Sequence, residues 1–193
     1  MRSAMRSVGK AQRKLMSELS TAVTRQVELP AEPRTIFEAL CTAMSHRRGR
    51  PVVLHIREFP KEIANSTTGL WLDLAEQDVV VVEKGLAPDH QLVVLGHELW
   101  HMHAGHCGHE IGGAAVAARA ALASEADWPE VARRVAARSH SQQVEEVAAE
   151  TFGLLLGSHM RTWLVEADDT GVRHLDDVAR RINASLGYPG PQG

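Results

Sequence analysis

His97-Glu98-Leu99-Trp100-His101 sets two imidazoles four residues apart, with a carboxylate beside the first. On a helix, positions four apart share a face, so both rings can bind one divalent metal ion. The glutamate then falls beside the metal rather than on it. There it can take a proton from water held at the metal and pass it to a leaving amine. H-E-x-x-H is therefore the pattern of zinc-dependent peptide hydrolysis. A pattern this short also arises by chance on solvated helices, so its surroundings matter. Leu92, Leu95, Leu99 and Met102 recur at i, i+3, i+7 and i+10 and form one apolar stripe. His97 and His101 lie roughly opposite that stripe. Val93, Val94 and Trp100 flank them, so their face is not simply polar.

A catalytic zinc takes three protein ligands and leaves a fourth position for water. Three residues or groups compete for the third place. The longer metzincin pattern, H-E-x-x-H-x-x-G-x-x-H, would require glycine at 104 and histidine at 107. Ala104 and Cys107 stand there instead, with Gly105 and His106 one place out of register. Cys107 is itself at the right distance, without the turning glycine. The third source is the segment "QQVEEVAAETFGLLLG", where Glu146 and Glu150 are four apart and Glu145 is also available. Ala149 and Gly153 beside them are small enough to let such a helix approach the histidine helix closely.

Several elements must position these groups. A helix is expected from about Val8 to Val27, preceded by a basic, frayed arm and broken by "LPAEP". A second follows Pro33, with Ile36, Phe37, Leu40 and Met44 at helical spacing and Gly49 ending it. Residues 51–59, 68–74 and 78–84 read as strands, the last two joined as a hairpin. The histidine helix runs from Pro88 to Gly105. Alanine-rich helices over 114–125 and 128–139, a helix over 142–157 and a last one over 172–186 complete the chain. The expected fold is α+β: a small three-stranded, mostly antiparallel sheet packed on a helical half that carries H-E-x-x-H. Residues 1–30 would be a helical arm, 31–165 the main domain, and 166–193 a C-terminal helix and loose tail.

Composition narrows the function classes. The chain has 193 residues, enough for one sizeable core, and a formal net charge of −3, which gives no reason to expect nucleic-acid binding. No run of about twenty apolar residues suggests a membrane span, and no apolar stretch follows the basic start as in a secretory signal. Two cysteines, Cys41 and Cys107, make no disulfide framework. A cytoplasmic location is the default expectation. The sequence contains neither a G-x-S-x-G elbow nor a P-loop.

The chain resembles the ImmA/IrrE family of zinc metallopeptidases, which are gluzincin-like. Members pair H-E-x-x-H with a later helix of the form E-x-x-A-(D/E/N)-x-(F/M)-A-x-x-L. Here that helix reads Glu146-Val-Ala-Ala149-Glu150-Thr-Phe152-Gly-Leu-Leu-Leu156, and the likeness spans roughly residues 34–160. Glu150 stands where aspartate or asparagine is commoner, and Gly153 where alanine is usual. Forty-four residues separate His101 from Glu146, more than in compact members. The resemblance implies a zincin-like fold, with His97, His101 and Glu146 as zinc ligands and Glu98 as general base. It implies that Glu150 accepts a hydrogen bond from a ligand histidine and fixes its tautomer. It further implies a substrate lying extended along an edge strand, residues 69–74 or 78–83. The implied partner is a helix-turn-helix repressor, often encoded alongside, as in toxin–antitoxin pairs.

The alternative is a non-proteolytic module, in which zinc holds the fold and the chain sequesters a regulator. Cys107 or His106 closing the fourth position would favour it. The remaining histidines carry weaker expectations. His103 reads as a helix-end hydrogen bonder, His106 and His109 as cleft-rim residues. His140, Arg138 and Tyr188 are candidates for steadying an oxyanion. Trp71 and Trp100 read as core, with Trp71 a lesser candidate for the substrate edge.

Overall fold

The computed structural model describes residues 2–59, 67–74, 76–105 and 143–165. The alanine-rich segments 114–125 and 128–139 and the expected helix over 172–186 lie outside them. So do His106, Cys107, His109, Arg138, His140 and Tyr188. The described elements are α1 (Arg2–Gln26), α2 (Pro33–Arg48), β1 (Val52–Arg57), β2 (Gly69–Asp73), β3 (Asp78–Glu83), α3 (Pro88–Ala104) and α4 (Gln143–Met160). A 3-10 turn, Arg161–Trp163, follows α4. The arm expected before Val8 is helical from Arg2 onward.

Apolar spacing explains how the helices pack. Leu15, Leu19 and Val23 of α1 recur every four residues, and all are buried in one core cluster with Ile36, Phe37, Leu40 and Met44 of α2. Each such side chain contributes about 1.5–3 kcal/mol by leaving water. Pro33 supplies a pre-set φ at the start of α2. Gly49 ends it in the left-handed region, φ 70°, and its N–H donates to the Ser45 carbonyl at 2.9 Å. The Ser45 hydroxyl accepts a hydrogen bond from the Val52 N–H at 2.8 Å, which ties the end of α2 to the start of β1.

The sheet order is β1-β3-β2. β2 and β3 form the expected antiparallel hairpin, with Gly69 opposite Val82 and Asp73 opposite Asp78. β1, however, pairs with β3 in parallel, Val52 opposite Asp78 and Arg57 opposite Glu83. The sheet is thus mixed rather than mostly antiparallel. The physical reason is visible in β3: Val79, Val80, Val81 and Val82 are each at most 1% exposed. A strand apolar on both faces suits the centre of a sheet, where both edges are paired. Residues 78–83 are therefore not an edge, and among the described residues β2 is the edge strand beside α3.

One end of the sheet is fastened by a buried carboxylate. Asp78 is fully buried and accepts hydrogen bonds from Arg48 Nε at 2.9 Å, Arg50 Nε at 2.8 Å, Arg50 Nη2 at 2.6 Å and Trp71 Nε1 at 2.9 Å. Arg50 also donates to the Leu74 carbonyl and pairs with Asp73. Two guanidinium groups and an indole thus compensate the cost of desolvating one carboxylate. At the other end, Gln91 Nε2 donates to the carbonyls of Glu83 and Lys84 at 3.0 and 3.2 Å. That pair of bonds fixes where α3 departs from β3.

Candidate metal centre

α3 carries residues 97–101. Pro88 begins it, and its apolar stripe is buried as expected: Leu92, Leu95, Leu99 and Met102 are each at most 1% exposed. Gly105 ends it with φ 70°, its N–H donating to the His101 carbonyl. The last turn of the helix thus starts from the second histidine.

α4 packs along the opposite side of α3, and glycines set the separation. Gly96 of α3 meets Gly153 of α4 so closely that a Cβ at position 96 would lie 3.0 Å from Gly153 Cα. A Cβ at position 153 would lie 2.5 Å from the Val93 carbonyl oxygen and 3.2 Å from the His97 nitrogen. Gly157 approaches Val93 in the same way. The face of α4 toward α3 runs through Glu146, Ala149, Gly153, Leu156 and Met160, a spacing of three and four; Ala149, Leu156 and Met160 are fully buried. Trp100 packs on Phe152, ring centroids 5.3 Å apart. Backbone this close carries Glu146, at the N-terminal end of α4, to the two histidines of α3.

The three side chains meet at one point. His97 Nε2 and His101 Nε2 are 3.1 Å apart. Glu146 Oε2 lies 3.4 Å from His97 Nε2, and Glu146 Oε1 lies 3.5 Å from His101 Nε2. Ligands about 2.0–2.1 Å from a tetrahedral Zn²⁺ are separated by about 3.3 Å. The observed spacings match that figure, and the two neutral nitrogens and one carboxylate are the donor types such an ion takes. His97, His101 and Glu146 form a group able to hold a metal ion. Burial lowers the pKa of His97, and the charges of Glu146 and Glu150 with the Glu146 hydrogen bond only partly offset it. The imidazole is therefore held neutral near pH 7, the form a metal requires.

The other expected residues fall as follows. Glu98 is buried at the side of α3 that faces β2, next to Gly69. Glu150 is exposed and raises the pKa of His97 by its charge; among the described residues it makes no hydrogen bond to either ligand histidine. His103 is a helix-end hydrogen bonder: its Nδ1 accepts from Arg47 Nε at 3.2 Å, and Arg47 pairs with Glu18. Trp71 is buried and its indole nitrogen donates to Asp78, so its side chain belongs to the core. Cys41 is buried, its thiol pushed up to about 12 mainly by desolvation, and is inert.

Two features escaped the sequence. One is the Arg48–Arg50–Asp78–Trp71 cluster; an aspartate heading four valines was its only local sign. The other is Gly69, which the sequence presents only as one residue of an expected strand. Compared with known proteins, the chain matches no family model, no curated protein and no solved structure.

Proposed function

We propose that this chain is a zinc-dependent endopeptidase of zincin-like fold, with His97, His101 and Glu146 holding Zn²⁺ and Glu98 acting as general base. The observation that carries this reading is the cluster itself: His97 Nε2 and His101 Nε2 lie 3.1 Å apart, with one Glu146 oxygen 3.4 Å from the first and the other 3.5 Å from the second. Bound at this site, Zn²⁺ would supply a Lewis acid that polarises a peptide carbonyl and acidifies water. Glu98 follows His97 directly on the helix and is buried where α3 meets β2. It takes the proton of the attacking water and delivers it to the leaving amine. β2, the sheet edge beside α3, is where an extended peptide can add as a further strand.

The resemblance to ImmA/IrrE proteins supports a protein substrate, namely a helix-turn-helix repressor encoded nearby. The test is incubation of that repressor with zinc-loaded chain. The wild type cleaves it, whereas Glu98→Gln keeps zinc and loses cleavage by about 10²–10⁴-fold. Binding of the repressor without cleavage by either form would instead make the chain a sequestering module.

A further inference from the structure

Gly69 sits where β2 touches the helix of the metal centre. Its backbone does not demand glycine: among the described residues, the glycines with positive φ are Gly49 and Gly105. Space demands it. A Cβ at position 69 would lie 2.9 Å from Glu98 Oε1 and 3.3 Å from Glu98 Cγ, and closer still to Val94 Cγ1. The first of these is below the range that real Cβ contacts occupy. The Gly69 peptide is also held on its other side. The Thr67 hydroxyl donates to the Gly69 carbonyl at 2.6 Å and accepts from the Gly69 N–H at 3.3 Å. The neighbouring Thr68 carbonyl accepts from the Glu83 N–H at 2.9 Å, which pins this end of β2 to β3. The main chain at 69 is thus a fixed wall, and the Glu98 carboxylate rests directly against it.

We infer that Gly69 is a positioning residue: its bare backbone sets the placement of the Glu98 carboxylate next to the metal-binding cluster. The inference rests on the reading of Glu98 as the general base. The three heavy atoms nearest a Cβ at 69 belong to Val94 and Glu98, none of them to His97, His101 or Glu146. Its effect on base placement can therefore be read apart from metal binding. Val94→Ala removes the first obstruction, and Glu98 is then the residue that Gly69→Ala meets at closest range.

The test compares full-length Val94→Ala with Gly69→Ala/Val94→Ala in two ways. In crystal structures of the metal-free proteins, the added methyl displaces the Glu98 carboxylate by more than about 0.5 Å, the tolerance of a productive site. An unmoved carboxylate overturns the inference. In the zinc-loaded proteins, acetohydroxamate chelates the metal through a group whose hydroxyl needs the adjacent carboxylate. Its Kd rises about tenfold on adding Gly69→Ala, the loss of one charge-assisted hydrogen bond, while zinc affinity is unchanged. The same substitution made with Glu98→Gln present leaves the hydroxamate Kd as it was. An equal rise in that background would show position 69 acting through general packing, and would overturn the inference. Should Glu98 move as stated while no form of the chain cleaves any peptide, the positioning stands and the peptidase reading fails.

Discussion

A metal ion held by His97 and His101 would compete with protons for the same nitrogens. Burial lowers the His97 pKa below its usual 6.5, and His55 and His103 are lowered chiefly for the same reason. For a histidine depressed in the folded state the sign is definite. It adds nothing to stability above pH 6.5, where it is neutral folded or unfolded. Below pH 6.5 the unfolded chain takes the proton more readily, and folding stability falls. The metal-free protein should therefore lose thermal stability as pH drops through 6.5 toward 5, and His97→Ala should flatten that slope when Tm is followed against pH. Zinc affinity should fall over the same window. At this scale the sequence was informative. His97, Glu98 and His101 announce themselves by spacing on one helix. Glu146, forty-five positions on, was one of several glutamates until the family likeness singled it out. Gly69 was hidden, because nothing local to it records what a distant helix places against its Cα.

Helix separation is the next determinant. α3 and α4 approach through Gly96, Gly153 and Gly157, and Glu146 reaches the histidines only because they do. The family motif that the sequence resembles usually has alanine where Gly153 stands. Here a methyl at that position would strike the Val93 carbonyl, a backbone atom that cannot rotate away. Gly153→Ala should cost about 1–3 kcal/mol in urea unfolding through overpacking. It should also weaken zinc binding by pushing Glu146 outward, whereas Gly49→Ala, remote from the site, should leave zinc binding intact. The small residues beside Glu146 hinted at this approach in advance. The sheet behaved differently. The hairpin of β2 and β3 was legible from its short connection, but the parallel pairing of β1 with β3 was not. Periodicity tells that a strand exists and which face is apolar; its neighbour is chosen by contacts far away along the chain. The Asp78 cluster follows the same logic. Arg48 and Arg50 meet a carboxylate about thirty positions on, and Asp78→Ala should cost about 3–5 kcal/mol by removing the buried partner that both share with Trp71. The exposed Arg34–Glu38 pair is the control, at less than about 1 kcal/mol.

At the scale of the molecule, α1 belongs to the same core as the metal-binding helices. Leu15, Leu19 and Val23 are at most 2% exposed, and Gln12 Nε2 donates to the Ala148 carbonyl of α4 at 2.9 Å. The linker after α1 is tied to the far end of α4 as well, Ala31 N–H to the Trp163 carbonyl at 2.8 Å and Val165 N–H to the Ala31 carbonyl at 2.9 Å. α4 is thus clasped at both ends by the N-terminal region while its middle rests on α3. Leu19→Ala, far from any ligand, should cost about 2–5 kcal/mol in denaturant unfolding by opening a core cavity. The α+β class and the positions of the described helices could be read from the sequence, largely from apolar periodicity. The basic start of the chain drew the eye to charge, and the buried leucines behind it were the stronger signal. None of the described helices is long and apolar enough to cross a membrane.

If His97, His101 and Glu146 form one metal centre, each of them is needed to hold the ion. Metal content of the purified chain, measured by plasma mass spectrometry after dialysis against trace zinc, decides it. Stoichiometric zinc is expected in the wild type, with loss of it in His97→Ala and in Glu146→Ala and its retention in Glu98→Gln. Zinc that persists undiminished in Glu146→Ala, or a wild-type chain that takes up none, would contradict that assignment.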